Sequence, residues 1–95
     1  MAIITNVYKK RFSKIENMQS SEDIHYNLIE LDSSDIKVYG VELIAYRGEE
    51  QDRLTLENIS ESKIWAMNII TYLYENAIKP EVALGIVNDI MVSEK

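Results

Sequence analysis

The chain contains no cysteine. That absence removes disulfides, thiolate metal sites and cysteine nucleophiles together, and it fits a reducing compartment. Histidine is almost as scarce, with His25 alone. Acid–base catalysis by histidine needs a Ser, an Asp or a metal within reach, and no spacing around His25 supplies one. The three glycines, Gly40, Gly48 and Gly85, are too scattered for a phosphate-cradling loop. No Pro/Gly/Ser-rich tract, repeat or low-complexity segment divides the sequence. Long apolar runs are missing too. The longest uncharged stretch, Ile64 to Tyr74, contains Asn68 and Thr71 and is far too short to cross a bilayer. The first residues, Met1-Ala-Ile-Ile-Thr-Asn6, lack the basic and then apolar order of a secretory signal. The expected location is therefore cytoplasmic, with no membrane partner.

What is present points to one folded domain spanning residues 1–95. A hydrophobic fraction of 46% beside 27% charged residues is enough apolar content to rule out wholesale disorder. At this length there is room for one thin core and little for a deep active-site cavity. Net charge is −6 but unevenly spread: Lys9, Lys10, Arg11 and Lys14 against Glu16 make the first twenty residues +3, which leaves −9 for the rest. A body of that sign repels phosphate backbones, whereas the basic arm attracts them. The plainer reading of the arm is a solvated polar segment.

Period-two patterning occupies the first half of the chain and helical patterning the second. Ile3 to Tyr8 is a weak first strand, and Ser13 to Asp23 reads as a polar, mobile loop, so residues 1–23 form a strand plus a basic arm. A β-meander is expected over residues 24–58. Its first strand, Ile24 to Leu31, places Ile24, Tyr26 and Leu28 on one face. The clearest strand, Ile36 to Arg47, places Tyr39, Val41, Leu43 and Ala45 together. Arg53 to Glu57 is a short third member with Leu54 and Leu56 inward. Asp32 to Asp35 and Gly48 to Asp52 are the turns.

A helical hairpin is expected over residues 60–93. Ser60 or Ser62 caps the first helix, and Ala66, Ile69, Ile70, Leu73 and Ala77 form its core stripe. Asn76 suits the left-handed closing position, and Pro80 suits the first turn of the next helix. There Ala83, Ile86, Val87 and Ile90 make the matching stripe. The fold class is thus α+β: a three- to four-stranded antiparallel meander followed by two C-terminal helices packed on one face.

Three segments carry a family resemblance: the strand Val38-Tyr-Gly-Val-Glu42; the helix entry Glu57-Asn-Ile-Ser60; and Tyr74-Glu-Asn-Ala-Ile-Lys-Pro80 followed by Val82-Ala-Leu-Gly-Ile-Val-Asn-Asp-Ile90. Over residues 24–92 the chain resembles a family of short bacterial proteins of uncharacterised function, found mainly in Gram-positive spore formers. The closing helix departs from that family in having Ala83 and Gly85 where polar or bulkier residues are usual. The resemblance implies a fold and supplies no catalytic residues.

Remaining features divide into chemistry and packing. Asp32, Asp35, Glu49, Glu50 and Asp52 lie in turns without the alternating ligand series of a calcium loop or the cleft that catalytic carboxylates need, so they are solubilising residues. No metal and no cofactor is expected. Gly40 marks a bulge that lets an aromatic neighbour pack across it, or a close backbone approach by a ligand. Gly85 costs about 1 kcal/mol against alanine in a helix, offset most simply by close approach of the first helix.

The first helix is apolar beyond its core stripe. Trp65 and Tyr72 flank it on one edge, Met67, Tyr74 and Ile78 on the other, and together with Ile64 they form the expected interaction surface. The leading expectation is a non-enzymatic interaction or regulatory module with a protein partner, itself or another, associating through the first helix or a sheet edge. The alternative is nucleic-acid association through Lys9, Lys10, Arg11 and Lys14. Sensing of a small ligand and an enzyme with a polar pocket complete the rival readings.

Overall fold

The computed structural model describes residues 2–12, 22–33 and 35–93. Strands β1 (Ala2–Phe12), β2 (Glu22–Ser33), β3 (Ile36–Arg47) and β4 (Glu50–Ser60) precede helices α1 (Lys63–Glu75) and α2 (Pro80–Ser93). All four strands join one antiparallel sheet in the order β1-β2-β3-β4. The expected meander with two C-terminal helices is the fold observed. Basic residues Lys9, Lys10 and Arg11 belong to β1 rather than to an arm, while Lys14 and most of the expected loop lie outside the described residues.

The period-two pattern decides which face of the sheet meets the helices. Ile24, Tyr26 and Leu28 of β2 and Val41, Leu43 and Ala45 of β3 are buried against Ala66, Ile69, Ile70 and Leu73 of α1 and Ala83 and Val87 of α2. Helix α1 touches all four strands, β2 and β3 most, and α2 lies over β4 and β3. Strands of this length run about 40 Å, while the helices run about 20 Å. The helical layer therefore covers only part of the sheet. Lys63, at the start of α1, reaches Glu30 at 3.1 Å, so the strand ends beyond Glu30 overhang the helices. Ile3 and Ile36 are accordingly exposed.

Turn chemistry follows local rules with two corrections. Gly48 takes a φ of 59°, which a tight two-residue hairpin asks of its first position, so β4 resumes at Glu50, earlier than the sequence pattern places it. Ser62 caps α1, its Oγ accepting from the Trp65 amide at 3.2 Å. At the other end of α1, the left-handed residue is Ala77, with φ of 51°, and not Asn76. Asn76 keeps its helical bond to the Tyr72 carbonyl, so the reversal falls one residue later. Ala77 donates to Tyr74 and Ile78 to Leu73, the paired bonds of a Schellman closure. Alanine there carries a penalty of about 1 kcal/mol that glycine avoids. The second correction concerns Gly85, which is exposed, with open space where a Cβ would stand. No close approach of α1 explains it.

Tyr26 anchors the helical connection to the sheet. Its hydroxyl donates to the Ile78 carbonyl at 2.9 Å, and burial, with Glu22 and Tyr74 adding, pushes its pKa up to about 12. An upward shift stabilises the fold fully below the free tyrosine value of 10 and fades as pH rises from there through about 12. Alkaline titration followed by circular dichroism is expected to show stability falling across that window. Tyr26→Phe should flatten the fall, and an unchanged slope in that variant would assign it to other groups.

Candidate functional site

The two helices diverge enough to leave a groove on their outer surface. Trp65, Asn68, Ile69 and Tyr72 of α1 and Ile90 of α2 line a volume of about 380 Å³. Helical geometry explains the α1 wall: residues 65, 68, 69 and 72 are spaced three, one and three apart, a single stripe that meets the buried one at Ile69. Trp65 is half-buried and Tyr72 is 47% exposed, so one aromatic supports the wall and the other offers its ring to solvent. Ile64 follows on the same outer surface at 75% exposed. Glu61 and Glu75, before and after this stripe along the chain, are exposed and negative, whereas Lys63 is engaged with Glu30 at 3.1 Å and Lys79 with Glu22 at 3.2 Å. Glu81 lies apart, beside Asp52, Arg53, Leu54 and Pro80.

The opposite edge of α1 is not a surface. Tyr74 stacks on Tyr8 of β1, ring centres 4.2 Å apart, and meets Tyr26 edge-on at 5.7 Å. Lys10 lies over the same ring at 4.6 Å and donates to the Tyr74 carbonyl at 2.8 Å, while Tyr8 shares a hydrogen bond with Thr71. Met67 and Ile78 also pack against the core. Of the six residues expected to form one interaction surface, Ile64, Trp65 and Tyr72 stand together, and Met67, Tyr74 and Ile78 are taken up by the fold. Asn68, Ile69 and Ile90 complete the groove. The spacing of Asn68 from Trp65 and Tyr72 was the available signal, but Ile90 comes from a separate helix and had none.

Lys9, Lys10 and Arg11 line one small hollow with Asp23 and His25, although alternate residues of a strand face opposite sides. Lys10 turns to the helices, and Arg11 pairs with Asp23 at 2.8 Å. That bond raises the guanidinium pKa and lowers the carboxyl pKa.

On the sheet face away from the helices, a row of polar side chains crosses all four strands. Asn6 donates to Asn27 at 2.8 Å, Asn27 to Glu42 at 3.2 Å, and Thr55 to the other Glu42 oxygen at 3.2 Å, with Arg53 at 3.7 Å. Glu42 is 4% exposed and Asn27 6%. A buried carboxylate with all these partners has its hydrogen-bonding demand met. Glu22 is held in the same way by Arg47 at 2.6 Å and by Lys79, and Arg47 also bonds Asp52. These partners hold the Arg47 guanidinium pKa above its ordinary value. His25 meets Tyr46 edge-on at 4.9 Å. Among the described residues, no group of three or more His, Asp or Glu side chains is placed to hold a metal ion. No helix is long and apolar enough to cross a membrane.

Comparison with known proteins bears on the fold's kinship and leaves activity open. No curated protein and no solved structure matches the chain. A family model described as a family of unknown function, DUF6514, matches residues 6–93, from mid-β1 to the end of α2, and the chain belongs to that family.

Proposed function

We propose that the chain is a small non-enzymatic protein-interaction module whose docking surface is the groove between α1 and α2. The carrying observation is that Trp65 and Tyr72 stand along one wall of an open, mainly apolar groove, facing Ile90 of α2. Tyrosine and tryptophan contribute large rigid contact area at low entropic cost, which suits them to anchor a partner. The negative charge of Glu61 and Glu75 selects the partner's chemistry. A second copy brings like charge to the groove, whereas a basic segment carrying an apolar anchor is complementary. A regulatory role, a cytoplasmic location and the bacterial origin implied by the family resemblance belong to the same reading.

The chain has a single tryptophan, so Trp65 reports directly on occupancy. Titration with a synthetic lysine-rich amphipathic peptide is expected to shift Trp65 emission saturably, with affinity falling as salt rises. Tyr72→Ala should weaken binding at least about tenfold, in line with loss of an aromatic anchor. An unshifted emission, or equal binding of a glutamate-rich counterpart, would overturn the proposal.

A further inference from the structure

The two edges of the sheet are built differently. Strand β4 carries Glu50, Asp52, Arg53 and Glu57 and is broken by an irregularity opposite Gly40. Charges and bulges of this kind keep an edge from pairing with another strand. Strand β1 has no charged residue from Ala2 to Tyr8, and its pairing with β2 is regular from Ala2 to Asn6 before the shift at Val7. Its side chains are bare on both faces: Ile3 is 49% exposed and Ile4 54%. This segment also belongs to the overhang that the helices do not cover. An uncharged, regular, two-sided apolar edge is a template for strand addition.

We propose that the occupant of this edge is β1 of a second copy, paired antiparallel about Ile4 so that two sheets become one of eight strands. In that register Ala2 lies opposite Asn6 of the second copy, Ile3 opposite Thr5 and Ile4 opposite Ile4. The regular segment thus pairs with itself and both bulges stay outside. Ile4 is the register partner of buried Ile29, so the pairing continues one apolar row across the joint.

Charge selects a copy over a foreign strand. Beyond the paired segment, exposed Lys9 runs on past Ala2 of the second copy, while Lys10 and Arg11 keep Tyr74 and Asp23 of their own chain. Because Ala2 lies beside Leu31, Lys9 comes alongside that copy's β2–β3 turn, where Asp32 and Asp35 are exposed. The two-fold axis produces this basic-to-acidic match twice. It also separates like charges, since the two Lys9 residues lie about 34 Å apart along the ribbon. The interface uses the edge farthest from α2, so it is independent of the groove.

The test uses the full chain, which has no native cysteine to interfere. Sedimentation velocity across a concentration series is expected to show a dimer. Ile4→Lys should weaken it at least about a hundredfold, through a charge facing its own copy, with unchanged circular dichroism. Lys9→Glu should weaken it about tenfold, and adding Asp32→Lys should restore it. Under mild oxidation, Ile4→Cys should form a disulfide-linked dimer and Gln51→Cys, on the opposite edge, should not. A monomer at every concentration, a dimer indifferent to Ile4→Lys, or equal cross-linking through Gln51→Cys would each overturn the proposal. A dimer lost in Tyr72→Ala but kept in Ile4→Lys would overturn it as well, moving self-association to the groove. Loss of peptide binding with the dimer intact sinks the groove reading alone.

Discussion

Gly40→Ala is expected to cost about 3 kcal/mol of folding stability, at the upper end for overpacking, and to lower Tm by roughly 15 °C. The cause is backbone meeting backbone. A Cβ on Gly40 would stand 2.1 Å from the Leu56 carbonyl oxygen and 2.6 Å from the Glu57 carbonyl group. Between the pairs Val41–Leu56 and Tyr39–Ser60, Gly40 alone faces residues 57–59 of β4, which fold over it. A flexible side chain would yield to an added methyl group, but a peptide unit inside a sheet yields only by giving up its ladder bonds. The family-like Tyr39-Gly40 step is thus a requirement of this crossing. Urea denaturation of the variant decides the matter: a loss below about 1 kcal/mol means that the crossing relaxes freely and the argument fails.

Asn27→Leu is expected to cost about 2–3 kcal/mol, because it strips an amide donor from a carboxylate that water barely reaches. Glu42 would keep Thr55 at 3.2 Å and Arg53 at 3.7 Å, and Asn6 would keep only the Tyr8 carbonyl at 3.0 Å. Adding Glu42→Leu removes the stranded charge. The double variant is therefore expected to be more stable than Asn27→Leu alone, although it carries one substitution more. Costs that simply add would show that the row is solvated and that the two side chains act separately. Denaturation curves of the two single variants and the double variant complete the cycle.

These two sites differ in how legible they are. Gly40 interrupts a strand of β-branched and aromatic residues, so a bulge or close approach is readable from the pattern. What approaches it is not, since Leu56 and Glu57 are distant in sequence and their position depends on the β3–β4 register. The Asn6–Asn27–Glu42–Thr55 row leaves no local trace. Each member sits on a strand's solvent-facing parity, where a polar residue is ordinary. Only three successive registers align them.

The expected interaction surface divides along the same line. Helical spacing puts Trp65 and Tyr72 on one edge of α1 and Met67 and Tyr74 on the other, and that partition stands. Which edge remains open depends on β1. Its charged, weakly patterned end hid a full-length strand, and Tyr8 and Lys10 cover Tyr74.

Local chemistry thus determined the order of elements, the buried face of each strand and helix, the Ser62 cap and the Pro80 restart. Each of these depends on residues within a few positions of one another, where dihedral preference and periodicity act directly. Tertiary structure decided the reach of β1, the crossing over Gly40, the burial of Glu42 and the groove beside Trp65. Those depend on which distant segments share a register, and that is set by the joint free energy of burying the whole core rather than by any one segment.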